Sequence, residues 1–209
     1  MLLALDTATH YASVALHDGQ RLLGEHTWLA YQDHTRTLLP HVQALLAGAQ
    51  ATIDSLTGIA VALGPGSFNG LRVGLSTAKG LSIARGLPLL GASTLELLAA
   101  EYGLDEVTMN AGQGHIYRWK LPSPAAFAVR VGPGEGHGEG TWSGAGSASE
   151  IELVDGAAPD RVRHAGVLAE LGWQRLREGR TLDVAKIEPI YVRPPHITES
   201  RKKAHMQAA

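Results

Sequence analysis

The chain has 209 residues, 44% of them hydrophobic, with a formal net charge of −2 and no cysteine. That is enough apolar material for one large domain or two small ones. It excludes disulfides, thiolate metal sites and a cysteine nucleophile, and it carries no overall basic footprint for nucleic acid. The start MLLALDTATH has no basic segment before its apolar run and meets Asp6 at once, so it is not read as a signal peptide. No apolar run approaches the length of a membrane-spanning helix.

Leu2 to Leu5 is a short apolar run closed by Asp6, the pattern of a buried strand. After the polar turn Asp6-Thr7-Ala8-Thr9, Tyr11–Leu16 and Arg21–Leu29 read as two further strands, joined at Asp18-Gly19, a type I′ hairpin signal. Thr35 to Ala49 has helical spacing through Leu38, Val42, Leu45, Leu46 and Ala49, with Pro40 expected to kink it or delay its start. Thr57–Leu63 reads as a buried strand leading into the stretch GPGSFNGLRVGLSTAKGLSIARG, Gly64 to Gly86. There the Gly-Pro-Gly turn breaks regular structure, Ser67 stands as an N-cap, and Phe68–Arg85 reads as helix. Pro88–Gly91 is a short strand, and Ser93–Tyr102 a short helix capped by Ser93 or Thr94.

A meander followed by strand–helix units is the layout of a ribonuclease-H-like lobe, and we place a boundary near residue 101, dividing the chain into 1–100 and 101–209. In the second part Glu106–Asn110 and His115–Leu121 read as strands, Leu168–Leu176 as a helix and Ile187–Val192 as a last strand. Gly132 to Gly146 is too glycine-rich to assign, and the basic group Arg201, Lys202 and Lys203 reads as a solvated terminus.

The helix after Ser67 carries three glycines at a cost of roughly 0.8–1 kcal/mol each against alanine. Gly70, Gly74 and Ala78 lie four apart, a bare stripe that lets another backbone approach closely. Other candidate chemistry is sparse. Asp6 stands where a metal–phosphate group is held in some nucleotide-binding folds, yet its turn has no glycine, and the same carboxylate can cap its own turn. Gly64–Gly70 is not a P-loop, because no Gly-Lys-Ser/Thr follows. Arg72 and Lys79, seven apart, share a face that meets an acidic partner or simply solvent. Ten histidines form no His-Glu-x-x-His, and His34 and His41 are seven apart, too far for the bite of two ligands on one helix. No Gly-x-Ser-x-Gly elbow is present, so Ser67 has no base visible in the sequence.

The segments LALDTATHYASVAL, DHTRTLLPHVQALL and ALGPGSFNGLRVGLSTAKGLSIARGLPLLGASTLELLA together resemble the TsaB family, over nearly all of residues 1–100 and more faintly at Asn110–Tyr117 and Pro189–Pro194. The resemblance implies an α/β fold of the actin-like ATPase type with two ribonuclease-H-like lobes, the second reduced. It implies a cytoplasmic, non-catalytic subunit of the machinery that makes threonylcarbamoyladenosine beside the tRNA anticodon. The expected partners are the paralogous transferase TsaD and the ATPase TsaE, with a homodimer when alone, tRNA met only through the complex, and no membrane.

TsaD holds its metal with His-x-x-x-His, and the matching positions here are Thr94 and Leu98, which cannot replace those ligands. No metal and no resident cofactor are therefore expected. Asp6 and Thr7 are at most a vestigial phosphate turn, with weak or interfacial ATP or ADP as the remaining option. The resemblance places the subunit interface on the helices at 35–49 and 68–85, at Leu38, Val42, Leu45, Gly70, Leu71, Gly74, Leu75 and Ala78, with the stripe itself met either by the partner or by an internal neighbour. On that reading Gly74→Leu folds and fails to pair. Two departures from the family pattern are Asn69 for threonine, and Asn110-Ala111-Gly112 where Asp-Ala-Arg is usual. The rival readings are an actin-like ATPase or small-molecule kinase using Asp6 and, behind it, a metallopeptidase.

Overall fold

The structure is a computed structural model and describes residues 1–112, 114–120, 152–155 and 165–192. The chain opens with β1 (Leu2–Asp6), β2 (Tyr11–His17) and β3 (Leu22–Leu29), continues through α1 (His34–Gly48), β4 (Gly58–Ala62), α2 (Phe68–Arg85), β5 (Leu89–Ala92) and α3 (Thr94–Tyr102), and then forms β6 (Glu106–Gly112), β7 (His115–Lys120), β8 (Glu152–Asp155) and α4 (Ala165–Arg177). Two sheets result, one of order β3-β2-β1-β4-β5 and one of order β6-β7-β8. In the first, β1 pairs antiparallel with β2 and parallel with β4, and β4 pairs parallel with β5. The strand–helix–strand steps from β1 onward therefore run over the sheet as crossovers.

Strand alternation builds two cores from one sheet. Leu3, Leu5, Val14, Leu16, Ile59 and Val61 face α1 and α2, meeting Leu38, Val42, Leu45, Leu75 and Ala78. Leu2, Ala4, Ala15, Ala60 and Leu90 face the other way, where Ala165, Leu168 and Ala169 of α4 cover them. The small residues on this second face let α4 lie close. A side chain at Gly172 would run into the Ala60 methyl, and one at Gly19 into the Trp173 indole.

Every described strand of the first sheet precedes residue 101 and every described strand of the second follows it. Part of the second half completes the first lobe, through α4 and through the segment after it. Leu182 N donates to Leu89 O at 2.8 Å, and Ile190 N to Leu63 O at 2.7 Å. This last segment, expected as a strand over Ile187–Val192, forms no regular strand. Pro189 removes a donor in its middle, leaving isolated docking bonds in place of a ladder.

Local expectations met other small corrections. Asp18-Gly19 does not make a two-residue hairpin turn, because His17 pairs with Leu22 across a register shift. Asp18 instead accepts from the Gln20 and Arg21 amides at 2.8 and 2.9 Å, closing a four-residue loop. Pro40 neither delays nor ends α1, and it lies on the exposed side of that helix. Ala165–Arg177 extends beyond the expected Leu168–Leu176. The Gly132–Gly146 stretch and the group Arg201–Lys203 lie outside the described residues.

Candidate functional site

The β1–β2 turn and α2 form one packed unit. Asp6 is buried, and its carboxylate accepts from the Ala8 amide at 2.9 Å, so it caps its own turn. Thr7, also buried, donates its hydroxyl to Gly70 O at 2.7 Å. Ala8 O accepts from Ser67 N at 2.7 Å, and the buried His34 places Nε2 2.8 Å from Thr9 O.

Gly66, Gly70 and Gly74 explain how this is possible. A Cβ at Gly66 would run into the Ala8 carbonyl, one at Gly70 into the Thr7 carbonyl, and one at Gly74 into the Thr7 hydroxyl. The turn that the sequence marks as a vestigial phosphate site is therefore sealed by the start of α2. Asp6 Oδ1 and the Thr7 hydroxyl are bonded within the protein itself.

The same geometry corrects the expected interface. Leu38, Val42, Leu45, Gly70, Leu71, Gly74, Leu75 and Ala78 are all buried within the chain. The Thr7 turn fills the space beside Gly70 and Gly74, while Leu38, Val42, Leu45, Leu75 and Ala78 pack into the core on one side of the sheet and Leu71 into that on the other. Gly74→Leu, expected to fold, would instead drive a side chain into Thr7.

The outward side of α2 runs through Ser76, Gly80 and Ile83, spaced four and three apart and so on one face, while Val73 one turn earlier is half-buried and packs against the core. Ile83 is 72% exposed, and a Cβ at Gly80 would meet nothing within 4 Å among the described residues. On α1, Leu39 is 49% exposed. This small-residue, partly apolar side of the α1–α2 layer is the candidate interaction surface.

The end of α2 is framed as its sequence predicts. Ser67 accepts from Gly70 N at 3.3 Å, and Gly86 closes the helix at φ 62°. Arg72 and Lys79 do not act as a pair. Arg72 lies 3.8 Å over the Phe68 ring and donates to the Tyr191 hydroxyl at 3.2 Å, pinning the returning segment. His41 stacks on Trp28 at 3.8 Å, and burial, with His26 alongside, lowers its pKa.

At α3, Thr94 and Leu98 are buried among core residues rather than presented to a ligand. Among the described residues, no group of three or more potential ligands could hold a metal ion. Between them Glu96 forms a buried ion pair with Arg175 of α4, which also donates to Gly91 O. Burial pushes the Glu96 carboxyl up against the opposing pull of the guanidinium, and it lowers Arg175. The sequence reading missed this pair because nothing local links residues 79 apart. Glu96 also closes the capping box with Ser93, and that part is readable as Ser-x-x-Glu.

A family model described as TsaD, tRNA N6-adenosine threonylcarbamoyltransferase, matches residues 24–121. The tRNA threonylcarbamoyladenosine biosynthesis protein TsaB of Escherichia coli (strain K12) is 40% identical over 99 residues, 47% of this chain and 42% of that protein. Its namesake in Bacillus subtilis (strain 168) is 32% identical over 120 residues, 56% of this chain and 52% of that one. The chain is similar to TsaB. It spans about half the length of these curated relatives in the matched region.

The structural match runs further. YeaZ from Pseudomonas aeruginosa superposes with a TM-score of 0.66 at 27% identity, covering 91% of this chain and 98% of that one. The fold is the TsaD-like, actin-like ATPase fold that the TsaB resemblance implied. No helix among the described residues is long and apolar enough to cross a membrane.

Proposed function

We propose that this chain serves tRNA threonylcarbamoyladenosine biosynthesis as a non-catalytic partner that pairs with TsaD through the outward side of α1 and α2. The observation that carries the reading is the combination of TsaB similarity with the state of the α3 helix. There the transferase's two ligand positions are Thr94 and Leu98, both buried. A leucine offers no lone pair to a metal, and a threonine hydroxyl is a poor ligand. The sealed Asp6–Thr7 turn supports the same conclusion against an ATPase or kinase, since a phosphate needs open backbone N–H groups there.

In this reading the partner covers Ser76, Gly80 and Ile83. Gly80 lets a facing helix approach, as Gly70 does for Thr7 inside the chain. TsaE docks on the assembled pair, and tRNA is met through the complex. The paired protein works in the cytoplasm, forms a homodimer when TsaD is absent, and has no resident cofactor.

The test is copurification with TsaD followed by a threonylcarbamoylation assay with and without this chain. Wild type is expected to copurify and to raise product formation. Ile83→Glu is expected to keep its melting temperature and lose copurification. A chain that binds ATP and magnesium tightly and hydrolyses ATP steadily without TsaD overturns the non-catalytic reading.

A further inference from the structure

The corner where β3 turns into α1 holds an open hollow of about 440 Å³, lined among others by His10, Leu29, Tyr31, Gln32 and Asp33. Three observations mark this corner. Tyr31 is 64% exposed and adopts φ +47°, a left-handed conformation that costs a non-glycine residue on the order of 1 kcal/mol or more. It is held there because His10 O accepts both the Ala30 and Tyr31 amides, at 2.8 and 3.1 Å. The backbone, not packing, thus holds this aromatic ring out toward solvent.

Second, the His10 and Tyr31 rings stand 6.2 Å apart at 48°, two aromatic faces forming a corner. Third, Asp33 occupies the N-cap position of α1, where aspartate normally accepts from the helix, yet it makes no cap bond. Its carboxylate is 61% exposed, and its Oδ2 lies 3.5 Å from Arg36 in an exposed pair of little strength.

We propose that this hollow binds a guanidinium group, carried by an arginine side chain of a partner protein. An aromatic face attracts a cation, and guanidinium stacks on rings while its flat edge matches a carboxylate. Asp33 repels an anion from the same place and offsets the positive end of α1. The chain itself shows the chemistry at α2, where Arg72 lies over Phe68 and donates to Tyr191. The proposal does not depend on pairing with TsaD.

The test is an NMR titration of the full chain with N-acetyl-arginine amide, with its neutral isostere N-acetyl-citrulline amide, and with the peptide Gly-Gly-Arg-Gly-Gly. Saturable shifts at the Tyr31 and Asp33 amides are expected for the arginine amide, with a dissociation constant of about 1–10 mM, and at least as tightly for the peptide. Citrulline amide is expected to bind at least about tenfold more weakly, a gap of about 1.4 kcal/mol. Tyr31→Gly accepts the left-handed backbone freely and is expected to keep or raise the melting temperature while losing the shifts. Asp33→Asn is expected to lose them too. Equal binding of citrulline, binding undiminished in Tyr31→Gly, or no saturable binding of the arginine amide overturns the site. Binding of the amino-acid amide without the peptide overturns the protein source.

Discussion

The two faces of α2 use the same residue type for opposite ends. On the inner face Gly70 and Gly74 are small because Thr7 occupies the space their side chains would take. On the outer face a side chain at Gly80 would meet nothing among the described residues, so no contact there recovers its helix penalty. A glycine in a helix therefore reports a close approach only when something is there to approach. Inside the chain that something is the β1–β2 turn, and outside it is the proposed partner.

The difference is breakable at its strongest point by Gly74→Leu. The new side chain overlaps Thr7, so a loss of about 3 kcal/mol or more is expected, read as a collapse in soluble yield and melting temperature. A stable, well-folded Gly74→Leu protein would return the stripe to the surface. The opposite side of the sheet supplies a yardstick of similar size. Arg175→Met strands the buried Glu96 carboxylate and should cost about 3–5 kcal/mol in chemical denaturation, most of it recovered in the double variant Glu96→Leu/Arg175→Met. The smallest effect is expected at Gly80→Ala, a gain of up to about 1 kcal/mol in the isolated chain together with weaker pairing to TsaD. A loss of stability there would mean that Gly80 has an internal neighbour after all.

Much of this arrangement is written locally. Gly-Pro-Gly, Ser67 and Gly86 mark both ends of α2, and the spacing of Leu38, Val42 and Leu45 marks the buried side of α1. What fills the glycine stripe of α2 is not local. Its buried face mixes Leu71 and Leu75 with Gly70, Gly74, Ala78 and Ser82, and the group that needs the glycines, Thr7, lies 63 residues from Gly70 in the chain. The same holds for His34, whose bond to Thr9 O spans 25 residues, and for Arg175, which reaches Glu96 only once α4 has crossed the sheet. The Asp6 carboxylate was readable in both its roles. In the structure the carboxylate caps its own turn, beside the start of α2.

The route by which α4 reaches its place has a consequence during synthesis. The five-stranded sheet is complete in sequence at Ala92, yet its second apolar face, with Leu2, Ala4, Ala60 and Leu90, is covered by a helix that ends at Arg177. At roughly 5–20 residues per second, a translating ribosome leaves that face bare for on the order of ten seconds. Through that interval the nascent chain presents a sticky sheet surface, and chaperones that hold exposed apolar segments have their longest opportunity there.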